Sequence, residues 1–225
     1  MNSPLFWRIL LAHVAADFAL QPDALILAKR KVWGVAIHAG IFGAAMAVTL
    51  REYLGSRTVL FVIVGLTAFH FAVDCGKSYI QRLSGRESFF VFLGDQALHI
   101  GSIVLVSVLL RFRVITVQPA FLPLSLAIIA VWGGSIIFET IKAEVTGEYL
   151  RPFTGLGSGR GKLAMVENAV LFAIGLQFGW FLLGLIFLIP RAVGWFRGKE
   201  LGVVPFCWAL AFSLGLISRF VVLKG

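Results

Sequence analysis

The chain has 225 residues, of which 59% are hydrophobic and only 14% are charged. Soluble domains carry about 25% charged residues, so this composition excludes a soluble globular domain and predicts an integral membrane protein. The net charge of +9 does not indicate nucleic acid, because the lysines and arginines stand in short groups between apolar runs, as loop charges do in membrane proteins. Two cysteines, Cys75 and Cys207, are too few for a disulfide framework, and we expect no redox role.

The apolar runs predict an all-α polytopic bundle of about seven transmembrane helices, or six, because about 20 apolar residues span the bilayer core. We take the first run as a retained helix and not as a cleaved signal peptide. We treat residues 1–225 as one transmembrane domain, with a four-helix half over 1–110 and a three-helix half over 111–225. The predicted segments cover residues 4–20, 33–50, 58–75, 89–110, 119–141, 163–189 and 203–222.

The connectors between these segments suggest an orientation. Gln21-Pro22-Asp23 predicts a break after the first segment, and residues 77–87 and 142–162 predict polar connectors. The odd-numbered connectors and the C-terminus hold 11 lysines and arginines, against 8 on the opposite side. Because positive residues are enriched on the cytoplasmic side, the odd-numbered connectors are predicted to face the cytoplasm.

Ionisable residues inside the apolar runs show a regular spacing. Three predicted helices each carry a histidine and an aspartate four positions apart, and such residues share one helix face. Placing an ionisable residue within a spanning helix has a high free-energy cost, so such a residue indicates a functional site by default. The residues are His13 and Asp17, His70 and Asp74, and Asp95 and His99, with His38 on a fourth helix.

These residues are also predicted to lie at one depth of the membrane. His13 and Asp17 lie late in the first segment and His38 early in the second, so antiparallel helices bring them together near the first connector. The other two pairs meet in the same way near the third connector, on the same face of the membrane. Scattered structural pairs would not be expected to share one depth.

Four imidazoles with three carboxylates suit a divalent metal, and zinc is the ion we expect. The candidate ligands are His13, Asp17, His38, His70, Asp74, Asp95 and His99. An aspartate one turn from a histidine could instead orient that histidine without binding the metal itself. The candidate catalytic residues are Asp17, Asp74, Asp95 and Lys77, where Lys77 is either a flanking lysine or a partner of Asp74.

Five further residues are candidates for binding a substrate. Gln21 and Gln96 follow or adjoin the polar stripes. Arg160 and Lys162 belong to the glycine-rich basic loop Gly155–Lys162, and Glu167 follows it. That loop lacks the spacing of a P-loop, so it is either a flexible connector or a backbone nest that grips a phosphate. Gly175 and Gly179 form a GxxxG pair that predicts close helix packing.

The cluster predicts a metal-dependent hydrolase that acts on a lipid or lipid-linked phosphate near one membrane face, because a metal with an open position activates water. Two alternatives stay open. The same residues could carry a metal ion or protons across the membrane. They could also be structural pairs that hold the bundle together. The expected partners are the lipid bilayer and the lipid substrate.

The motifs of the first half resemble a bacterial membrane family, domain of unknown function 3307. They are the stretches His13-Val-Ala-Ala-Asp17-Phe-Ala-Leu-Gln21, His70-Phe-Ala-Val-Asp74-Cys-Gly-Lys77 and Asp95-Gln96-Ala-Leu-His99, with a connector lysine and His38. The resemblance covers about residues 8–105 and implies a bacterial inner-membrane protein. The second half is similar to an extension of some members, but Asn168 stands where they have an arginine.

Overall fold

A computed structural model of the chain describes residues 4–84, 88–110, 120–134, 136–137, 144, 159–177 and 203–224. The described residues contain helices and turns and no strand, which confirms the all-α class for this part of the chain. The α-helices are α1 Pro4–Val14, α2 Asp23–Ala28, α3 Val32–Thr49, α4 Arg57–Ser84, α5 Phe89–Leu109, α6 Phe121–Ile128, α7 Gly159–Gln177 and α8 Val203–Lys224.

Three of these helices, α3, α4 and α5, are long and apolar enough to cross a membrane. They contain 18, 28 and 21 residues, and a helix of 20 residues spans about 30 Å. Many of their large apolar side chains point outward, as on a helix that faces lipid; Phe61 on α4 is 77% exposed and Phe90 on α5 is 69% exposed.

Helices α1, α3, α4 and α5 enclose one apolar core. Successive helices joined by short connections pack as antiparallel neighbours, which is how this sequence brings distant segments together. The core fills the half of the bundle on the side where α1 begins. Its buried residues include Leu5, Ile9, Ala12, Phe42, Met46, Val62, Leu66 and Ile103.

The end of α1 widens into a single π-helical turn over Ala15–Ala19. The Leu20 amide donates to the Ala15 carbonyl oxygen at 2.8 Å, five residues back, which is the hydrogen bond of a π turn. Such turns are common at functional sites, and this one carries Asp17. The chain then breaks before Pro22, as predicted, and α2 begins at Asp23.

Two predicted boundaries are wrong. The predicted segment 58–75 is too short, because α4 continues to Ser84 and Lys77 is therefore a helical residue and not part of a connector. Lysine, glutamine and arginine are good helix formers, so a polar stretch need not end a helix. The predicted loop 142–162 is too long, because α7 begins at Gly159. The short helix α2 was also not predicted.

The second half of the chain forms its own apolar core where α7 packs against α8 and the π turn Ile129–Gly133. The two helices touch through glycine: a Cβ on Gly175 would lie 2.5 Å from the Phe212 carbonyl oxygen and 3.0 Å from the Gly215 Cα. The predicted close packing at Gly175 is confirmed. Gly179 and the predicted continuation to residue 189 lie outside the described residues.

Candidate functional site

All seven histidines and aspartates predicted as metal ligands come together between α1, α3, α4 and α5. Six of them are buried, with His13, His38, His70 and Asp74 at most 1% exposed. The Asp17 side chain is 10% exposed. These histidines and aspartates therefore lie together in one buried group. We call this group the His/Asp cluster: His13, Asp17, His38, His70, Asp74, Asp95 and His99.

The Asp17 carboxylate faces three imidazoles. Its Oδ1 atom lies 3.2 Å from His38 Nε2, 3.6 Å from His70 Nε2 and 3.8 Å from His13 Nδ1. Only the contact with His38 is a hydrogen bond. Three nitrogens at these distances surround one carboxylate oxygen without binding it tightly.

Asp74 has its two carboxylate oxygens turned toward different histidines. Oδ2 lies 3.5 Å from His38 Nε2 and 3.8 Å from His70 Nε2. Oδ1 lies 3.8 Å from His99 Nε2. Asp74 therefore connects the part of the cluster around Asp17 with the part around His99.

His99 and Asp95 form the closest pair on a single helix. His99 Nε2 lies 3.3 Å from Asp95 Oδ1 because the two residues are one turn apart on α5. The His99 ring stacks on the His70 ring with 4.1 Å between ring centroids. His70 in turn stacks on Phe42 at 4.6 Å, so the imidazoles are held by apolar packing as well as by polar contacts.

The buried imidazoles lack the partners that buried polar groups normally have. Neither ring nitrogen of His13 or His70 makes a hydrogen bond to any residue that the structure describes. In folded proteins about 90% of buried polar groups are hydrogen-bonded, and each exception needs an explanation. Imidazole nitrogens that have no hydrogen-bond partner and lie beside carboxylate oxygens could coordinate a bound cation. Three overlapping groups have ligand atoms within 4.8 Å of one another and could hold a metal ion: His13, Asp17 and His70; His38, His70 and Asp74; and Asp74, Asp95 and His99.

Two lysines contact carboxylate oxygens of the cluster. Lys77 Nζ donates to Asp95 Oδ2 at 2.8 Å, so its partner is Asp95 and not the Asp74 that was considered from the sequence. Lys29 Nζ lies 2.9 Å from Asp74 Oδ2. Sequence reasoning missed Lys29, because it belongs to a basic connector whose charges are usually solvated. The connector lysine in the motifs of the family resemblance was the available signal.

The predicted substrate-binding residues have different surroundings. The Gln96 amide donates to Asp17 Oδ2 at 3.1 Å and to Asp95 Oδ2 at 3.2 Å, so it bridges two carboxylates within the cluster. Gln21 adjoins the cluster: oriented by its hydrogen-bond partners, its amide donates to the Asp17 carbonyl oxygen at 2.7 Å.

The other three predicted residues belong to α7. Arg160 and Lys162 lie in its first turn, and their side chains are outside the described part of the structure. Glu167 is buried at 5% exposure on the same helix. The structure does not bring Glu167 into the groups that could hold a metal among the described residues. Substrate binding by these residues stays a prediction.

The fold and site together define an all-α protein with membrane-length apolar helices around a buried cluster of histidine, aspartate and lysine. Residues 5–128 match the family described as protein of unknown function DUF3307, and the chain belongs to that family. The matched range contains every member of the His/Asp cluster and both lysines, as the resemblance of the motifs predicted. No curated protein and no solved structure matches the chain.

Proposed function

We propose that the protein is a metal-dependent hydrolase embedded in the bacterial cytoplasmic membrane and that it acts on a lipid or lipid-linked phosphate near one membrane face. We further propose that the whole chain forms one domain of about seven spans, or six. The three membrane-length helices α3, α4 and α5 support the membrane location. The apolar runs of the remaining sequence support the larger number of spans.

One observation carries the metal proposal. Two imidazole nitrogens and two carboxylate oxygens from four residues alternate, each nitrogen no more than 3.8 Å from both oxygens: His38 Nε2, His70 Nε2, Asp17 Oδ1 and Asp74 Oδ2. The four measured distances between a nitrogen and an oxygen of this set are 3.2, 3.5, 3.6 and 3.8 Å. Ligands bound to tetrahedral zinc at 2.0–2.1 Å lie about 3.4 Å from one another. We call these four atoms the donor quartet, and we propose that they hold zinc.

The remaining polar residues of the cluster would serve proton transfer and positioning. A bound zinc ion supplies an activated water near neutral pH. His99 Nε2 lies 3.3 Å from Asp95 Oδ1, and this imidazole would serve as the general acid or base, with Asp95 orienting the ring. Gln96 fixes Asp17 and Asp95 relative to each other. Lys77 keeps Asp95 charged through its 2.8 Å contact.

Elemental analysis of the purified full chain tests the proposal first. We expect about one zinc per chain in the wild type and loss of zinc in the His70→Ala variant. The matched control is Phe61→Ala on the same helix, because Phe61 is 77% exposed and remote from the donors. Wild-type protein that neither retains zinc nor binds added zinc would refute the proposal.

The reaction is tested with phosphatidic acid in mixed micelles, by measuring released phosphate. Asp95→Asn, which removes the carboxylate that orients the His99 imidazole, is expected to lower the rate by roughly 10²–10⁴-fold while zinc stays bound. Zinc binding without phosphate release, together with zinc uptake into proteoliposomes, would favour the transporter. If neither activity is found and a His70→Leu/Asp74→Leu double variant is as stable as wild type, the cluster is structural.

A further inference from the structure

Lys29 is held at the His/Asp cluster by its backbone as well as by its side chain. Its carbonyl oxygen accepts a hydrogen bond from Ser78 Oγ on α4 at 3.4 Å, and the next carbonyl, that of Arg30, accepts one from Arg82. The turn that carries Lys29 also packs tightly against α3, since a Cβ on Gly34 would lie 2.1 Å from the Ala28 carbonyl oxygen. A connector lysine without a function would not need this anchoring.

The side chain of Lys29 is directed inward by a second set of contacts. Nζ lies 2.9 Å from Asp74 Oδ2 and donates to the Gln21 side-chain oxygen at 3.1 Å. The side chain is 16% exposed, and that of Lys77 is 20% exposed, whereas the carboxylates they contact are 2% exposed. The two ammonium groups therefore lie at the rim of the cluster, between the buried donors and the surroundings.

The charges of the cluster indicate what these lysines are for. Three aspartates carry −3 and two lysines carry +2, so these five side chains sum to −1. One divalent ion changes the balance to +1. Isolated buried charge is expensive, so the metal-loaded cluster should take up an anion. Arg30 and Arg82 are exposed, and the Arg82 guanidinium donates to the carbonyl oxygen next in sequence to Lys29, so its charge would attract that anion.

We propose that Lys29 and Lys77 form an anion subsite at the rim of the cluster and bind the phosphate group of the substrate once the metal holds Asp74. This inference rests on the proposed function, because it requires a bound metal. Without metal, both ammonium groups remain paired with carboxylates. With metal, Asp74 Oδ2 is a ligand and Lys29 is released to donate to phosphate oxygens, a group that lysine commonly binds as a point charge. Lys77 keeps its contact with Asp95 and offers its remaining N–H donors.

The test compares metal binding with anion binding in the full chain in detergent. Zinc affinity is measured by competition with a chromogenic chelator, and the zinc-loaded protein is then titrated with inorganic phosphate. A parallel titration uses phosphatidic acid in phosphatidylcholine micelles, with phosphatidylcholine alone as the blank. The variants are Lys29→Met and Lys77→Met, with Lys29→Arg as the charge-conserving partner and Lys31→Met as the control on the exposed part of the same connector.

The proposal predicts opposite effects on the two affinities. Lys29→Met should weaken anion binding at least tenfold, because a charge-assisted hydrogen bond is lost. The same change should leave zinc affinity equal or higher, because a cation that competes for Asp74 is removed. Lys29→Arg should restore most of the anion binding, and Lys31→Met should change neither affinity. If Lys29 had only a structural role, Lys29→Met would lower both the anion affinity and the zinc affinity.

Each other outcome has a defined meaning. Zinc binding with an anion affinity that is unchanged in Lys29→Met and Lys77→Met would overturn this inference and leave the proposed function standing. Absence of zinc binding would overturn both. Lysine-dependent binding of inorganic phosphate alone would identify free phosphate as the ligand. Lysine-dependent binding of phosphatidic acid alone would identify a lipid headgroup.

Discussion

Zinc should stabilise the folded protein by an amount that depends on the donor quartet. A ligand that binds only the folded state adds about 2.7 kcal/mol to the free energy of unfolding at 100 times its Kd. His70 supplies one of the four donor atoms, at 3.6 Å from Asp17 Oδ1 and 3.8 Å from Asp74 Oδ2. Loss of even an outer-shell partner weakens a metal site 10–100-fold, so His70→Ala should weaken it at least 100-fold. At the same zinc concentration the stabilisation should then fall to about 0.4 kcal/mol or less.

The assay is equilibrium unfolding in mixed detergent micelles, followed by tryptophan fluorescence with and without zinc. The control is Leu66→Ala, one turn before His70 on α4, where Leu66 is 5% exposed in the apolar core. That change should cost about 2–5 kcal/mol in stability through the cavity it leaves. Because it removes no donor atom, its zinc-dependent difference should match that of the wild type. Equal zinc-dependent stabilisation in His70→Ala and wild type would refute the assignment of the quartet.

Three further predictions address other contacts. Gln96→Leu should weaken zinc binding about 10–100-fold in a chelator competition, because two carboxylates lose a shared donor. Arg8→Met should lower the free energy of unfolding by about 1.5–3 kcal/mol without changing the zinc content, because the charged hydrogen bond of 2.7 Å to the Thr49 carbonyl oxygen is lost. Gly175→Ala should destabilise the protein, because its Cβ would lie 2.5 Å from a carbonyl oxygen of α8, whereas Gly101→Ala, with nothing within 4 Å, should not.

The local parts of the site were predictable from sequence because they depend on helical periodicity. Residues four apart share a face in any α-helix, so the pairs His70 and Asp74, and Asp95 and His99, could be placed without knowing the fold. The π turn around Asp17 changed that local geometry without removing the residue from the cluster. The break at Pro22 was also local, and it was predicted correctly.

The parts that were missed depend on contacts between residues distant in sequence. Lys29 reaches Asp74 only because the short helix α2 turns the connector back onto α4, and no periodic pattern indicates that turn. Arg8 is one of the 8 basic residues counted on the side opposite the odd-numbered connectors, yet it is 1% exposed and donates to the Thr49 carbonyl oxygen, 41 residues away. Such a position follows from the packing of α1 against the end of α3, which the sequence does not display.

The apolar core bears on the choice between an enzyme and a transporter. An ion that crosses the bundle must pass from the His/Asp cluster to the other end of α1, where Arg8 binds the Thr49 carbonyl oxygen and Glu52. The buried side chains of the core between these two points include Ala12, Ile9, Phe42, Met46, Leu66 and Ile103, all of them apolar. An unpaired ion in such surroundings costs far more than a fold of marginal stability can offset. Transport would therefore require a second conformation in which this layer opens, whereas a hydrolase needs access from only one side, where the rim lysines lie.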